Sequence, residues 1–326
     1  MNVAILGAGA WGTALAKVLH QNGHRITLWT RDAAALADIQ RLRRNERHLP
    51  GVELPADWTC EPNLSRAAAG QDAVIMAVAS KGFRSVAAQL RDSSAILVSV
   101  TKGIEYDTGK TMCGVLRECA PRARAAALSG PTFAREVARG MPTAIVAASE
   151  DDDASRAVQK LFHQPRFRVY RSADLLGVEL GGALKNIIAI SAGVCDGLGL
   201  GDNSKAALIT RGIAEVRRLG VACGAQAETF SGLSGLGDLM VTCFSRQSRN
   251  REFGERAGRG EQIEVLLNDG TKTAEGVPTC RAAHRLARVL KIETPIIDEV
   301  HAMLYEGKNV KRAVNDLLNR DTKAED

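Results

Sequence analysis

Gly7-Ala8-Gly9-Ala10-Trp11-Gly12 constrains this chain more than any other segment. The apolar run Val3-Ala4-Ile5-Leu6 leads into it, and a helix-like stretch from Thr13 to Gln21 follows, ended by Asn22-Gly23. A G-x-G-x-x-G between a buried strand and a helix is the turn of a dinucleotide-binding βαβ unit. Gly7 allows the tight turn, Gly9 lets backbone approach a pyrophosphate, and Gly12 permits close packing of helix on strand. The first helical residues, Ala10 and Trp11 among them, then offer unpaired N–H groups and the positive end of the helix dipole to the phosphates. A glycine-rich turn without a ligand is the bland alternative. It explains neither the strand context nor a second strand ending at Thr30.

The rest of the first half repeats the pattern. Arg25 to Trp29 reads as a strand and Ala33 to Arg44 as a helix, and further strands are expected at Ala73–Val78, Ala95–Val100, Ala125–Leu128 and Thr143–Val146. Arg166 to Tyr170 could supply the last. Strands separated by helical stretches of 10 to 15 residues imply right-handed βαβ units and a parallel sheet. Beyond about residue 175 the strand candidates stop, and Leu175–Cys195, Ser204–Cys223, Cys280–Leu290 and Thr294–Tyr305 read as helices. The fold class is α/β: an N-terminal Rossmann-like, doubly wound sheet over residues 1–175 and a C-terminal all-helical domain over residues 176–326. The acidic run Glu150 to Asp153, between a strand and a helix, suits the positive end of that helix better than a metal.

Composition removes several classes. With 326 residues, 45% hydrophobic, the chain can bury a large core, which excludes a disordered or disulfide-stapled polypeptide. Seven cysteines, an odd number without a C-x-x-C pair, imply free thiols and no zinc site. Val3 to Ala16 lacks the cationic start of a signal segment, and the apolar run Ala183 to Val194 is interrupted by Lys185, Asn186 and Ser191. No membrane span and a cytoplasmic location are expected. A net charge of +6 fits an anionic small ligand. The basic cluster Arg41, Arg43, Arg44 and Arg47 carries no interleaved aromatics, so it reads as a solvated helix face and no nucleic-acid partner is expected.

Cofactor choice turns on the residues after the second strand. Asp32 stands 20 positions beyond Gly12, where an acid can bind the ribose hydroxyls of NAD, and Arg31 is the type of residue that accommodates the 2′-phosphate of NADP. Both occur, so the cofactor is NAD or NADP, with a lean to NADP because Arg31 comes first. No metal is called for.

Lys185 is the most informative lysine. At helical spacing it shares a stripe with Gly181, Gly182, Ala189 and Ala192 and has no carboxylate three or four residues away. Such a face invites close approach by another body, and burial there would lower the pKa of the ammonium toward general acid–base work. A lysine snorkelling from a domain interface is the ordinary alternative. Adjacent Asn186 could orient a substrate. Lys102 lies past the strand ending at Val100, at a carboxyl end where doubly wound sheets gather ligands. Gly130-Pro131-Thr132 follows another strand and could start a helix facing an anion. Ser248-Arg249-Asn250-Arg251 joins a guanidinium to hydroxyl and amide groups, a good phosphate clamp. For Lys102, Thr132 and Arg249, a surface charge or helix cap is the competing role.

With these residues in view, the chain resembles the bacterial-type NAD(P)-dependent glycerol-3-phosphate dehydrogenases along almost its whole length. The resemblance is carried by residues 7–16 (GAGAWGTALA), 49–55 (LPGVELP), 128–137 (LSGPTFAREV), 177–211 (GVELGGALKNIIAISAGVCDGLGLGDNSKAALITR), 232–243 (GLSGLGDLMVTC), 248–251 and 274–277 (AEGV). It implies that Lys185 accepts the proton when the secondary alcohol of glycerol 3-phosphate is oxidised. It implies that Lys102, Gly130, Thr132, Asp238, Ser248, Arg249 and Asn250 surround the small phosphorylated triose. Trp11, Arg31, Lys102, Ala134, Arg249 and Glu275, with Thr273 beside them, would meet the dinucleotide. The product would serve phospholipid synthesis, and an exposed face on the helical domain is compatible with a homodimer. Two positions depart from the family pattern: His48 where an aromatic often precedes Leu-Pro-Gly, and Ala79 where a proline often precedes Ser80. Rival readings are a related dehydrogenase acting on a hydroxy acid and a nonenzymatic dinucleotide sensor. The first would want a catalytic histidine, and the six histidines all lie outside the glycine-rich constellations.

Overall fold

The computed structural model describes residues 1–269, 274–322 and 324. They form two compact units, Met1–Glu105 with Lys110–Glu179, and Tyr106–Gly109 with Leu180–Asp326.

Ten strands lie in the first unit: β1 (Asn2–Leu6), β2 (Arg25–Trp29), β3 (Arg44–Asn45), β4 (Leu49–Glu53), β5 (Thr59–Cys60), β6 (Ala73–Met76), β7 (Ile96–Ser99), β8 (Arg124–Ser129), β9 (Thr143–Ala148) and β10 (Phe167–Ser172). Eight of them form one sheet in the order β10-β9-β8-β7-β6-β1-β2-β5. The chain runs outward from β1 to β5 and then returns to β6 on the other side of β1. That reversal is a topological switch point, and ligands of such sheets gather at the carboxyl ends of the strands beside it. Seven helices accompany the strands: α1 (Ala10–Gln21), α2 (Ala33–Leu42), α3 (Leu64–Ala68), α4 (Ser80–Ala87), α5 (Met112–Cys119), α6 (Ala134–Ala138) and α7 (Asp152–Phe162). β1 and β6 are buried apart from the first residue of β1, because helices cover both faces of a parallel sheet. A single apolar cluster from Val3 to Val169 fills the interior of this unit.

The expectation of a wholly parallel sheet needs correction. β9 pairs antiparallel with β8 and parallel with β10, all other pairs in the sheet being parallel. In the link from β8 to β9 the only helix is the five-residue α6, which packs on α1 rather than across the sheet. A second correction concerns α2, expected to reach Arg44. Arg43 turns left-handed at φ 54°, and the chain enters the β3–β4 hairpin, which periodicity gave no sign of. Asp151 caps α7, its side chain accepting from Asp153 and Ala154 N–H, so the acidic run serves a helix start as expected.

The second unit is helical: most of α8 (Leu175–Leu198), then α9 (Gly201–Ala222), α10 (Asp238–Phe244), α11 (Arg249–Gly258), α12 (Ile263–Asn268), α13 (Gly276–Leu290), α14 (Pro295–Tyr305) and α15 (Val310–Leu318). A short 3₁₀ turn (Ala227–Ser231) and a π turn (Leu233–Gly237) precede α10. α8 is its axis. By length and apolarity α8 could cross a membrane, which the interrupted apolar run had not suggested, but 94% of that apolar window is buried inside the protein. Backbone meets backbone where α8 crosses α11. A Cβ on Gly193 or Gly197 would overlap the carbonyl oxygens of Arg251 or Glu255, and one on Gly254 the carbonyl of Ile190. Beside this crossing Asp196 binds Lys205 at 2.8 Å and Arg251 at 2.6 Å, joining α8, α9 and α11 through largely buried charges.

Candidate active site

In the first unit the residues singled out by the glycine motif lie at the switch point. Gly7 adopts φ 123°, and a Cβ there would overlap the carbonyl oxygen of Ala77, just beyond β6. A Cβ on Gly12 would overlap the Gly7 carbonyl, whereas one on Gly9 meets nothing within 4 Å. The turn therefore packs tightly on its inner side and stays open at Gly9. The N-cap of α1 is Gly9 itself, no side chain caps the helix, and its first turn holds no acid. Such an end is suited to an anion. The indole Nε1 of Trp11 is buried without a hydrogen-bond partner. These features fit a bound dinucleotide.

After β2 the two cofactor-choosing residues differ in their commitments. Asp32 is the N-cap of α2, one oxygen accepting from Ala35 N–H at 2.9 Å and the other from the Arg47 guanidinium at 3.0 Å. The Ala35 N–H, then Arg47, hold its carboxyl below the usual range. Arg31 is exposed, its guanidinium near Gly82 at the start of α4.

Lys102 and the Gly130-Pro131-Thr132 turn meet at the carboxyl ends of β7 and β8. The Gly130 carbonyl accepts from Lys102 Nζ at 3.0 Å and from the Thr132 hydroxyl at 3.1 Å. A Cβ on Gly130 would stand 3.1 Å from Ile145 Cα, so β9 holds this turn from behind. The helix expected from Thr132 begins only at Ala134 and is too short to serve as an anion site.

In the second unit Lys185 is 6% exposed and donates to Asp238 Oδ1 at 2.6 Å and to Thr242 Oγ1 at 2.5 Å. The Thr242 hydroxyl donates in turn to the Asp238 carbonyl at 2.6 Å. The body that approaches the small-residue face of α8 is the π turn, whose Ser234 carbonyl would lie 2.8 Å from a Cβ on Gly181. That turn delivers Asp238 to the lysine. The ammonium is thus compensated by a carboxylate from another helix, which a search along its own helix could not find. Thr242 was missed as well, although its place four residues after Asp238 put both on one helical face.

Asn186, Asn250 and the start of α13 form a second cluster. Asn250 Nδ2 donates to Asn186 Oδ1 at 2.9 Å, and Gly276 N–H donates to Asn250 Oδ1 at 2.9 Å. Glu275 is the N-cap of α13. A Cβ on Gly276 would come within 2.6 Å of the Asn186 carbonyl, which explains a glycine there. Ser248 caps α11, its hydroxyl accepting from Arg251 N–H, and Arg249, the first residue of α11, is exposed. The side chain of Arg251 is committed to Asp196 and Glu255. Thr273 lies outside the described residues. Among the described residues no group of three His, Cys, Asp or Glu side chains could hold a metal ion.

Comparison with known proteins matches both halves of the chain to one family. Residues 2–155 match the NAD-dependent glycerol-3-phosphate dehydrogenase N-terminus and residues 174–315 the C-terminus of the same family. A glycerol-3-phosphate dehydrogenase [NAD(P)+] of Syntrophotalea carbinolica is 48% identical over 331 aligned positions, covering 100% of this chain and 99% of the relative. One from Fusobacterium nucleatum subsp. nucleatum is 44% identical, with coverages of 100% and 98%. The crystal structure of glycerol-3-phosphate dehydrogenase from Coxiella burnetii is similar with a TM-score of 0.94 and 37% identity, over 98% of this chain and 99% of that one. The chain belongs to the NAD-dependent glycerol-3-phosphate dehydrogenase family.

Proposed function

We infer that this protein is an oxidoreductase interconverting sn-glycerol 3-phosphate and dihydroxyacetone phosphate with NAD or NADP, and that the residues described above carry the reaction. The observation that carries this reading is the buried Lys185–Asp238–Thr242 cluster in a chain 48% identical to a glycerol-3-phosphate dehydrogenase. The assignment gives residues 1–175 to the dinucleotide and residues 176–326 to the triose. When bound, the nicotinamide supplies or takes the hydride, and everything else is positioning and proton transfer.

In reduction of the ketone, Lys185 gives a proton to the oxygen that develops charge, and in oxidation of the alcohol it takes that proton back. Asp238 and Thr242 fix Nζ in direction and balance its charge while it is protonated. Lys102, held by the Gly130 carbonyl, adds a second positive charge to the oxyanion's surroundings. Arg249 meets the phosphate with its guanidinium, helped by the start of α11 that Ser248 caps. Asn250 acts through the frame it builds with Asn186 and Gly276, and remote binding energy at the phosphate then sets the position of the reacting carbon. The Gly7–Gly12 turn, Trp11, Arg31, Ala134 and Glu275 hold the dinucleotide. Both oxygens of Asp32 are engaged, and Arg47 neutralises it, which supports acceptance of NADP beside Arg31.

A cytoplasmic enzyme feeding phospholipid synthesis belongs to the same reading. So does a homodimer, supported by the exposed side chains of Leu236 in the π turn and of Met240 and Phe244 in α10. The deciding experiment is an assay of the purified protein with dihydroxyacetone phosphate and NADH or NADPH in parallel. Rapid loss of reduced-cofactor absorbance is expected, faster with NADPH at low cofactor. Cofactor binding with no turnover would make the chain a sensor.

A further inference from the structure

A glycine-rich turn cannot fix itself, since its glycines carry no side chains and the widest backbone freedom. In this chain an external side chain grips it. Asn45, in β3 and 4% exposed, donates from Nδ2 to the Ala8 carbonyl and to Thr13 Oγ1, both at 2.8 Å. Its Oδ1 accepts from His48 N–H at 3.3 Å, so the hairpin holds the amide as the amide holds the turn. Thr13 is wholly buried in the first turn of α1.

The direction of these bonds matters. No peptide in the described chain is cis, and in a trans peptide the carbonyl and the following N–H point opposite ways. With the Ala8 carbonyl turned to Asn45, the Gly9 N–H is directed away from the hairpin. Asn45 thereby sets the peptide whose N–H belongs to Gly9, the glycine of the motif with open space beside it. We propose that Asn45 is a positioning residue for the dinucleotide, aiming the Gly9 N–H at the pyrophosphate and fixing the first turn of α1 through Thr13. This rests on the cofactor assignment above and adds to it a residue outside the glycine motif.

The test is Asn45→Asp, which keeps the shape but sets a carboxylate oxygen against the Ala8 carbonyl. Calorimetric titration should show dissociation constants for NADPH and for ADP-ribose, which carries the pyrophosphate without nicotinamide, both raised ~10-fold or more, the scale of a lost buried hydrogen bond. At saturating cofactor, kcat and the triose KM should stay within about twofold. Val52→Ala, in β4 of the same hairpin, controls for stability: it should lower the melting temperature and leave both dissociation constants unchanged. Wild-type affinity in Asn45→Asp, or equal weakening in Val52→Ala, overturns the proposal. Failure of the unmodified protein to bind either ligand overturns instead the cofactor assignment on which it stands.

Discussion

The side chain that most needs its neighbours is Lys185. A buried ammonium is tolerated only with a partner, and Asp238 at 2.6 Å supplies one. Lys185→Ala should cut kcat by ~100-fold or more and leave the dissociation constant for NAD(P)H unchanged, since the glycine turn belongs to the other unit. Steady-state rates with calorimetry of the same preparation check this, and near-normal turnover would remove Lys185 from proton transfer. Arg249→Ala should act chiefly on the triose, raising KM by roughly tenfold or more, the worth of a charge-assisted bond to phosphate. An unchanged KM there would dismiss the clamp. Lys185 and Arg249 could be singled out as candidates because small residues around a lysine, and hydroxyl and amide groups around an arginine, are unusual on a surface. Thr242 and Asn45 were not. A threonine in an apolar helix and an asparagine in a two-residue strand have ordinary duties, and only their hydrogen-bond partners set them apart.

Among elements, the crossing of α8 and α11 is the most exacting. Glycines four apart on both helices, Gly193 with Gly197 and Gly254 with Gly258, remove side chains from one stripe of each, and the backbones close to contact. Gly254→Ala should cost about 3 kcal/mol or more, at the upper end for overpacking, because the obstacle is the Ile190 carbonyl rather than a flexible side chain. Chemical denaturation would measure it, and a loss below about 0.5 kcal/mol, an ordinary surface value, would refute the close-packing account. Most sheet strands and long helices were readable in advance because their apolar periodicity is strong. The β3–β4 hairpin and the antiparallel β9 were not. A two-residue strand has no periodicity, and strand direction depends on where the intervening helix packs.

At the scale of the molecule, pH tests how the helical unit is held. Glu215, on α9, is 1% exposed and accepts from Ile296 and Ile297 N–H at the start of α14. Burial pushes its carboxyl up to about 7, against the pull of those two N–H groups. Because the folded value is raised, its favourable contribution is complete below the unfolded value near 4.5 and is lost as pH rises through about 7. The loss is on the order of 3 kcal/mol. Glu215→Gln should flatten the fall in melting temperature between pH 5 and pH 8 by roughly that contribution, and an unaltered slope would assign the dependence elsewhere.

From its amino acids alone this chain could be read as a glycine-turn dinucleotide unit followed by helices, since those features depend on neighbours a few residues apart. The long motif blocks extended that reading to a family. What no local pattern could supply is pairing at a distance. Asp238 reaches Lys185 across 53 positions, and Asn45 grips Ala8 across 37. Tyr106–Gly109 leaves its flanking sequence to join the helical unit, where the Arg281 guanidinium stacks 4.4 Å over the Tyr106 ring. Burial makes such polar and charged groups need partners, and the folding of the whole chain selects which ones they find.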